Sequence, residues 1–127
     1  MVNLEKIIKK EWMNVLFNIL FMVFSILVVV IFFKNILLTN MLLLLILIIG
    51  LLNWKSKLSL IIFIVFGVMF GIAEIIVSSL GPWNYSVSNL LTIPSWLFLL
   101  WGNTAVFIHQ IIREIRKFGI KENKLNK

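Results

Sequence analysis

Residues 58–82, LSLIIFIVFGVMFGIAEIIVSSLGP, decide the fold class. Up to Leu80 the run is apolar apart from small and hydroxyl residues and a single carboxylate, Glu74. As a helix it extends about 35 Å, enough to cross a hydrocarbon layer about 30 Å thick. A charge at mid-membrane costs roughly 2.5–3.5 kcal/mol, and each large aliphatic residue returns roughly 0.3–0.6 kcal/mol. Insertion is therefore favourable, provided that Glu74 faces protein or water. Gly81-Pro82 closes the run, since glycine takes the left-handed conformation at a helix C-terminus and proline cannot continue the helix.

Upstream, Lys55-Ser56-Lys57 is a tight turn that leads back into a second apolar run at about residues 36–54. A further run at about residues 12–33 precedes it, and Lys34, Asn35, Thr39 and Asn40 mark the turn between them. An unbroken helix over both runs would be about 65 Å long, too long for one crossing. Downstream, the uncharged loop 81–92 leads to a fourth run at about 93–112, with Thr92 expected as its N-cap and Pro94 in its first turn. The expected fold is thus all-α: one polytopic integral-membrane four-helix bundle over residues 1–127, with a short basic tail from 113 onward. Residues 2–11 pair Leu4, Ile7 and Ile8 with charges, as a surface helix running into span 1 would. Span 1 carries Asn14, Asn18, Phe21 and Ser25 at helical spacing, whereas span 2 is almost pure Leu and Ile and is expected to face lipid.

Charge orients the weave. Of the 12 Lys and Arg residues, all but Lys34 fall in the N-tail, the 55–57 turn or the C-tail, so the positive-inside rule sets N-in/C-in, with both termini cytoplasmic in a cell membrane. The net charge of +7 is explained by that rule and calls for no nucleic acid. Its expected partners are membrane lipids, with anionic headgroups at the inner face. The chain has no cysteine, which excludes disulfides, thiolate chemistry and Cys-based metal sites. The first run ends in Phe32-Phe33-Lys34 without a small-residue cleavage site, as a retained anchor rather than a signal peptide does. Trp12 and Trp54 at one boundary, and Trp83, Tyr85 and Trp96 at the other, fit aromatic belts. Asn84-Tyr85-Ser86 matches the glycosylation sequon in a loop too short to stand clear of the membrane.

Chemistry concentrates around Glu74, which lies about 9 Å below the outer end of span 3. Gly67, Gly71, Glu74 and Ser78 share one stripe of that helix, and Gly67-xxx-Gly71 allows another backbone to come close, within the bundle or from a second subunit. On span 4, Gly102 belongs to a matching face and Asn103 lies nearest mid-membrane. The candidate ligand or proton site is Glu74 with Asn103, Trp101, Trp83 and Tyr85; Gly67, Gly71, Ser78 and Gly102 are expected to pack helices. The plain alternative is a packing role, with Glu74 protonated or hydrogen-bonded by a Tyr, Trp or Asn. His109 lies about 15 Å deeper than Glu74, too far for a direct dyad, and one His with one buried carboxylate makes no usual metal set. No cofactor is implied.

The segment from Glu74 to Tyr85, with its Gly81-Pro82-Trp83-Asn84-Tyr85, followed by Ile93-Pro94 and Phe98-Leu99-Leu100, resembles the lycopene cyclase domain and related carotenoid-modifying membrane proteins. The resemblance covers about a quarter of the chain. It implies that Glu74 occupies the family's acidic position, that Gly81, Trp83 and Tyr85 form its loop motif, and that Pro94 is its helix-opening proline. Where that pattern has paired glutamates after the proline, this chain has Ser95-Trp96-Leu97, so Glu74 is the sole carboxylate for an acid-driven ring closure. The chain is also similar to small four-span prokaryotic proteins with comparable loops.

Three functions follow as expectations; no complete catalytic motif is present, and an enzyme using only Glu74 comes after them because it lacks a second catalytic group. The first is a noncatalytic or accessory bundle that binds a lipid or isoprenoid near Glu74, because aromatic side chains around one polar anchor suit a long apolar ligand. The alternative is a proton-coupled exporter, acting as a homo-oligomer through Glu74. It resembles the small multidrug resistance family in size, span number and single membrane glutamate, although that family carries its glutamate in the first span. A holin-like pore former is the third.

Overall fold

A computed structural model describes residues 4–125. Four α-helices account for most of them: α1 (Leu4–Phe32), α2 (Ile36–Trp54), α3 (Lys57–Leu80) and α4 (Trp96–Leu125). The segment with charges at the N-terminus runs without a break into the first apolar stretch. Three helical segments, Ile8–Phe32, Ile36–Trp54 and Lys57–Leu80, are long and apolar enough to cross a membrane. The fourth helix is longer still, but Asn103, Thr104, His109 and Gln110 interrupt its apolar part.

Each turn has a local cause. Asn35 caps α2, its Oδ1 accepting the Leu38 amide at 3.2 Å. The Thr39 hydroxyl donates back to the Phe32 carbonyl at 2.5 Å, tying the start of α2 to the end of α1. Lys55 ends α2 in the left-handed region at φ 53°, and its amide donates to the Leu51 carbonyl at 2.8 Å. Ser56 then caps α3 by accepting the Ser59 amide at 3.1 Å. Gly81 ends α3 at φ 102°, a conformation that glycine adopts without steric cost.

The start of α4 differs from expectation. The helix begins at Trp96, because the Ile93 amide is committed to the Leu90 carbonyl at 3.1 Å and the Thr92 hydroxyl bonds Ser78 at 2.5 Å instead of capping. Asn89 supplies the missing acceptor, its Oδ1 taking the Ser95 amide at 2.7 Å.

The helices alternate in direction, so the start of α1, the 55–57 turn and the end of α4 share one end, here called the basic end. The 33–35 turn and the loop 81–95 share the opposite, loop end. α4 is the central element and packs against α1, α2 and α3, whereas α1 and α3 do not meet among the described residues. α2 buries a single row, Thr39, Leu43, Leu47 and Gly50, and shares its outward apolar exposure with α1 and α3 instead of being set apart as the lipid-facing helix.

Polarity is distributed as it is in helices packed within lipid: large apolar side chains such as Leu37 and Leu52 point outward, and Asn18, Ser25, Ser59, Asn103 and Gln110 are buried. Central α4 supplies a ladder of these contacts. Asn103 Nδ2 donates to Ser25 Oγ of α1 at 3.2 Å, and Gln110 Nε2 donates to Ser59 Oγ of α3 at 2.7 Å. At the loop end a compact apolar cluster of Leu43, Ile93, Trp96 and Leu97 fixes the loop onto the bundle.

The aromatic belts are only partly present. Trp96 is buried and donates its indole N–H to the Phe33 carbonyl at 3.1 Å. Trp54 donates to Asn18 Oδ1 at 2.8 Å, with its ring edge-on to Phe21 at 4.9 Å. Both indoles point inward because an acceptor from another helix or turn of the bundle is within reach.

Candidate functional site

Glu74 lies in α3 one and a half turns before the helix ends, so its carboxylate is within reach of whatever folds back over that end. Gly81 turns the chain, and the loop that follows brings Trp83 and Tyr85 over α3. Trp83 Nε1 donates to Glu74 Oε2 at 3.0 Å, and the Tyr85 hydroxyl donates to the same oxygen at 2.5 Å. From α4, Trp101 Nε1 donates to Glu74 Oε1 at 3.1 Å. The carboxylate thus accepts three hydrogens from three aromatic side chains, on two different parts of the chain. Donors from the loop and from α4 converge on one side chain of α3, so the cluster fixes both the loop and the rotation of α4 against α3.

The loop is anchored on its far side as well. Ser95 Oγ accepts from Asn89 Nδ2 at 3.0 Å and from Asn40 Nδ2 at 2.8 Å, which joins the loop to α2. Burial, then the hydrogen bond to Glu74 and the nearby Glu74 charge, push the Tyr85 phenol up to about 12.

Four of the five candidate residues, Glu74, Trp83, Tyr85 and Trp101, come together in this way. Asn103 does not join them. It lies about 200° around α4 from Trp101, on the side facing α1 and α2, where it is bonded to Ser25 and to the Leu43 carbonyl at 3.4 Å. Gly67 and Gly71 face α4: a Cβ at Gly67 would lie 2.9 Å from the Phe98 carbonyl oxygen, and one at Gly71 would overlap the Phe98 ring. Gly102 lies against Phe63 in the same interface, and buried Ser78 ties α3 to the loop through Thr92. The Gly67-xxx-Gly71 pair is therefore occupied within one chain.

Trp101 has a second contact. Its ring stacks on Phe70 at 4.9 Å, and Phe70 stacks on Phe66 at 6.1 Å. These rings line a groove of about 360 Å³ between α3 and α4, together with Ala105 and Ile108 of α4 and, further along that helix, His109 and Ile112. A larger groove of about 460 Å³ between α1 and α2, lined by residues such as Phe17, Phe24 and Ile46, is apolar throughout. It offers nothing to orient a ligand, so the α3–α4 groove is the better candidate. His109 lies about 12 Å along α4 from Trp101 and is thus remote from Glu74. Among the described residues no three His, Cys, Asp or Glu side chains are grouped to hold a metal.

A second polar cluster was not anticipated from the sequence. At the basic end, buried Glu11 of α1 and buried Glu114 of α4 lie together, and Lys117 reaches Glu114 at 3.2 Å and Glu11 at 3.7 Å. Burial, then the hydrogen bond with Glu11, raise the Glu114 carboxyl above its ordinary value, and Lys117 opposes the rise. Nothing but the mixed charge of the two tails signalled this pairing, since its partners are at opposite ends of the sequence.

Comparison with protein-family models, curated proteins and solved structures returns no match.

Proposed function

We propose that the protein is a noncatalytic integral-membrane four-helix bundle that binds a lipid or isoprenoid along its α3–α4 groove. The single observation that carries this reading is the double engagement of Trp101, whose indole N–H is held by Glu74 while its ring lines the groove. Glu74 acts as a brace: it sets the position of Trp101, and the stacked rings of Trp101, Phe70 and Phe66 present a flat apolar surface to a chain. The positions that carry the likeness to the lycopene cyclase domain, Glu74, Trp83 and Tyr85, serve this brace, which is a structural use of a carboxylate in place of acid catalysis.

α4 is the fourth span in this reading. Its stretch from 96 to 112 extends about 26 Å, within the range for a crossing, and its polar residues Asn103 and Gln110 bond to other helices rather than face lipid. Lys9, Lys10, Lys55, Lys57, Arg113 and Arg116 gather at one end and Lys34 at the other, which supports a cytoplasmic position for both termini.

Native mass spectrometry of protein released from lipid nanodiscs tests the reading, with wild type beside Glu74→Gln. A lipid retained by wild type and lost from the variant supports it; identical lipids on both proteins overturn it. A dimer without ligand favours the proton-coupled exporter instead. That reading needs Glu74 to exchange its three aromatic donors for proton and substrate, and a dimer interface other than the Gly67-xxx-Gly71 stripe.

A further inference from the structure

The groove does not end in apolar surface. His109 and Ile112, which line it, also line a second concavity of about 430 Å³ together with Arg113, Arg116, Lys117 and Ile120. His109, Arg113 and Arg116 follow one another at i, i+4 and i+7, so one face of α4 passes from aromatic and aliphatic to cationic within two turns.

The three cations differ in their commitments. Lys117 is neutralised by Glu11 and Glu114. Arg113 and Arg116 are exposed, and neither forms a salt bridge with any described residue. Two guanidinium groups on adjacent turns present the planar paired donors that suit phosphate oxygens.

We propose that this basic foot binds the headgroup phosphate of an anionic glycerophospholipid, whose acyl chain lies up the α3–α4 groove beneath Trp101. The proposal rests on the reading of that groove as a lipid site and adds the chemistry and orientation of its occupant. Charge complementarity selects an anionic headgroup. Length selects a lipid of a single leaflet: from Arg113 to Trp101 is about 18 Å along α4, close to the roughly 15 Å of hydrocarbon in half a bilayer. A polyisoprenoid long enough to cross the membrane would overrun the groove at the Glu74 cluster.

The test uses the full chain in nanodiscs of phosphatidylcholine and phosphatidylglycerol at 4:1, with bound lipid counted by native mass spectrometry after release. Wild type is expected to retain phosphatidylglycerol at least fivefold above its share. Arg113→Gln/Arg116→Gln, at two exposed positions, is expected to lose that enrichment and still carry one lipid without headgroup preference. Ile108→Trp, which fills the groove from its exposed rim, is expected to lower retention of both lipids. Lys9→Gln/Lys10→Gln removes the same charge from the same end outside the groove, and should leave the enrichment intact.

Unchanged enrichment in the arginine variant, or an equal loss in the Lys9/Lys10 variant, overturns the proposed headgroup site. In that event Ile108→Trp decides the groove reading separately. If it still strips lipid the groove binds chains without a headgroup site, and if it does not, both readings fall.

Discussion

Trp101 Nε1 and Glu74 Oε1 are 3.1 Å apart across the α3–α4 interface, 27 positions apart in sequence. This bond links the loop cluster to the groove. On one side of it Trp83 and Tyr85 hold the loop over the end of α3; on the other the Trp101 ring stacks into the aromatic wall.

Replacing Glu74 should therefore be felt in both places. Glu74→Gln keeps the size and one acceptor oxygen but gives up the charge and directs an NH₂ group at aromatic donors. The expected cost is about 1.5–3 kcal/mol, read from denaturation midpoints in detergent micelles. Tryptophan emission should change as well, since the indole N–H groups of Trp83 and Trp101 both bond to the Glu74 side chain.

Tyr85 is the only tyrosine, so an absorbance titration near the phenolate band reports it alone. Its phenol should ionise at about pH 12 in wild type. Because the folded-state value is raised above 10, the neutral phenol favours the folded loop, and that contribution is lost as pH rises through the window from 10 to about 12. Glu74→Gln should move the midpoint downward without returning it to 10, since burial is the largest cause of the shift and persists in the variant.

Close approach of α3 and α4 depends on three glycines. Gly67→Ala sets a methyl group against the Phe98 carbonyl oxygen, a backbone atom that cannot turn away, so the helices must separate at an expected cost of about 1–3 kcal/mol. Gly119, in the exposed last part of α4, has nothing within 4 Å of its would-be Cβ, and Gly119→Ala should stabilise the helix by up to about 1 kcal/mol. Opposite signs for the two substitutions in one denaturation assay check the interface directly.

The Glu11–Glu114–Lys117 cluster makes the joint between α1 and α4 sensitive to pH. The folded-state value of Glu114 lies above its ordinary 4.5, so the folded protein holds that proton more tightly than the unfolded chain. Stability from this group is present below pH 4.5 and declines as pH rises through the raised value. Glu114→Gln should flatten the acid limb of a stability–pH profile, and the protection factors of amides near residues 8–12, taken relative to their intrinsic exchange rates, should vary less with pH than in wild type.

The helical class, the number of helices and the positions of their turns were legible because their causes are local. Apolar runs longer than a core helix needs, broken by Lys34-Asn35, by Lys55-Ser56-Lys57 and by Gly81-Pro82, leave the chain few other structures. Glu74 stood out for the same reason, as the one carboxylate within those runs, on a stripe with Gly67 and Gly71.

The relative rotation of the helices was not written in any one segment. Trp101 and Asn103 are equally plausible neighbours of Glu74 by depth, and the crossing of α4 over Gly67 and Gly71 turns the first toward Glu74 and the second toward Ser25. Trp96 and Trp54 have the amphipathic rings of interface residues, yet both find acceptors inside, at the Phe33 carbonyl and at Asn18. Thr92 has the chemistry of an N-cap and bonds Ser78 instead. By itself the sequence determined which segments are helical, where they turn and at which end the positive charge gathers, since periodicity, turn chemistry and charge act over a few residues. Only the tertiary structure decided which side chains meet, because that choice depends on how closely α3 and α4 approach, and the approach is set by glycines and rings many residues apart.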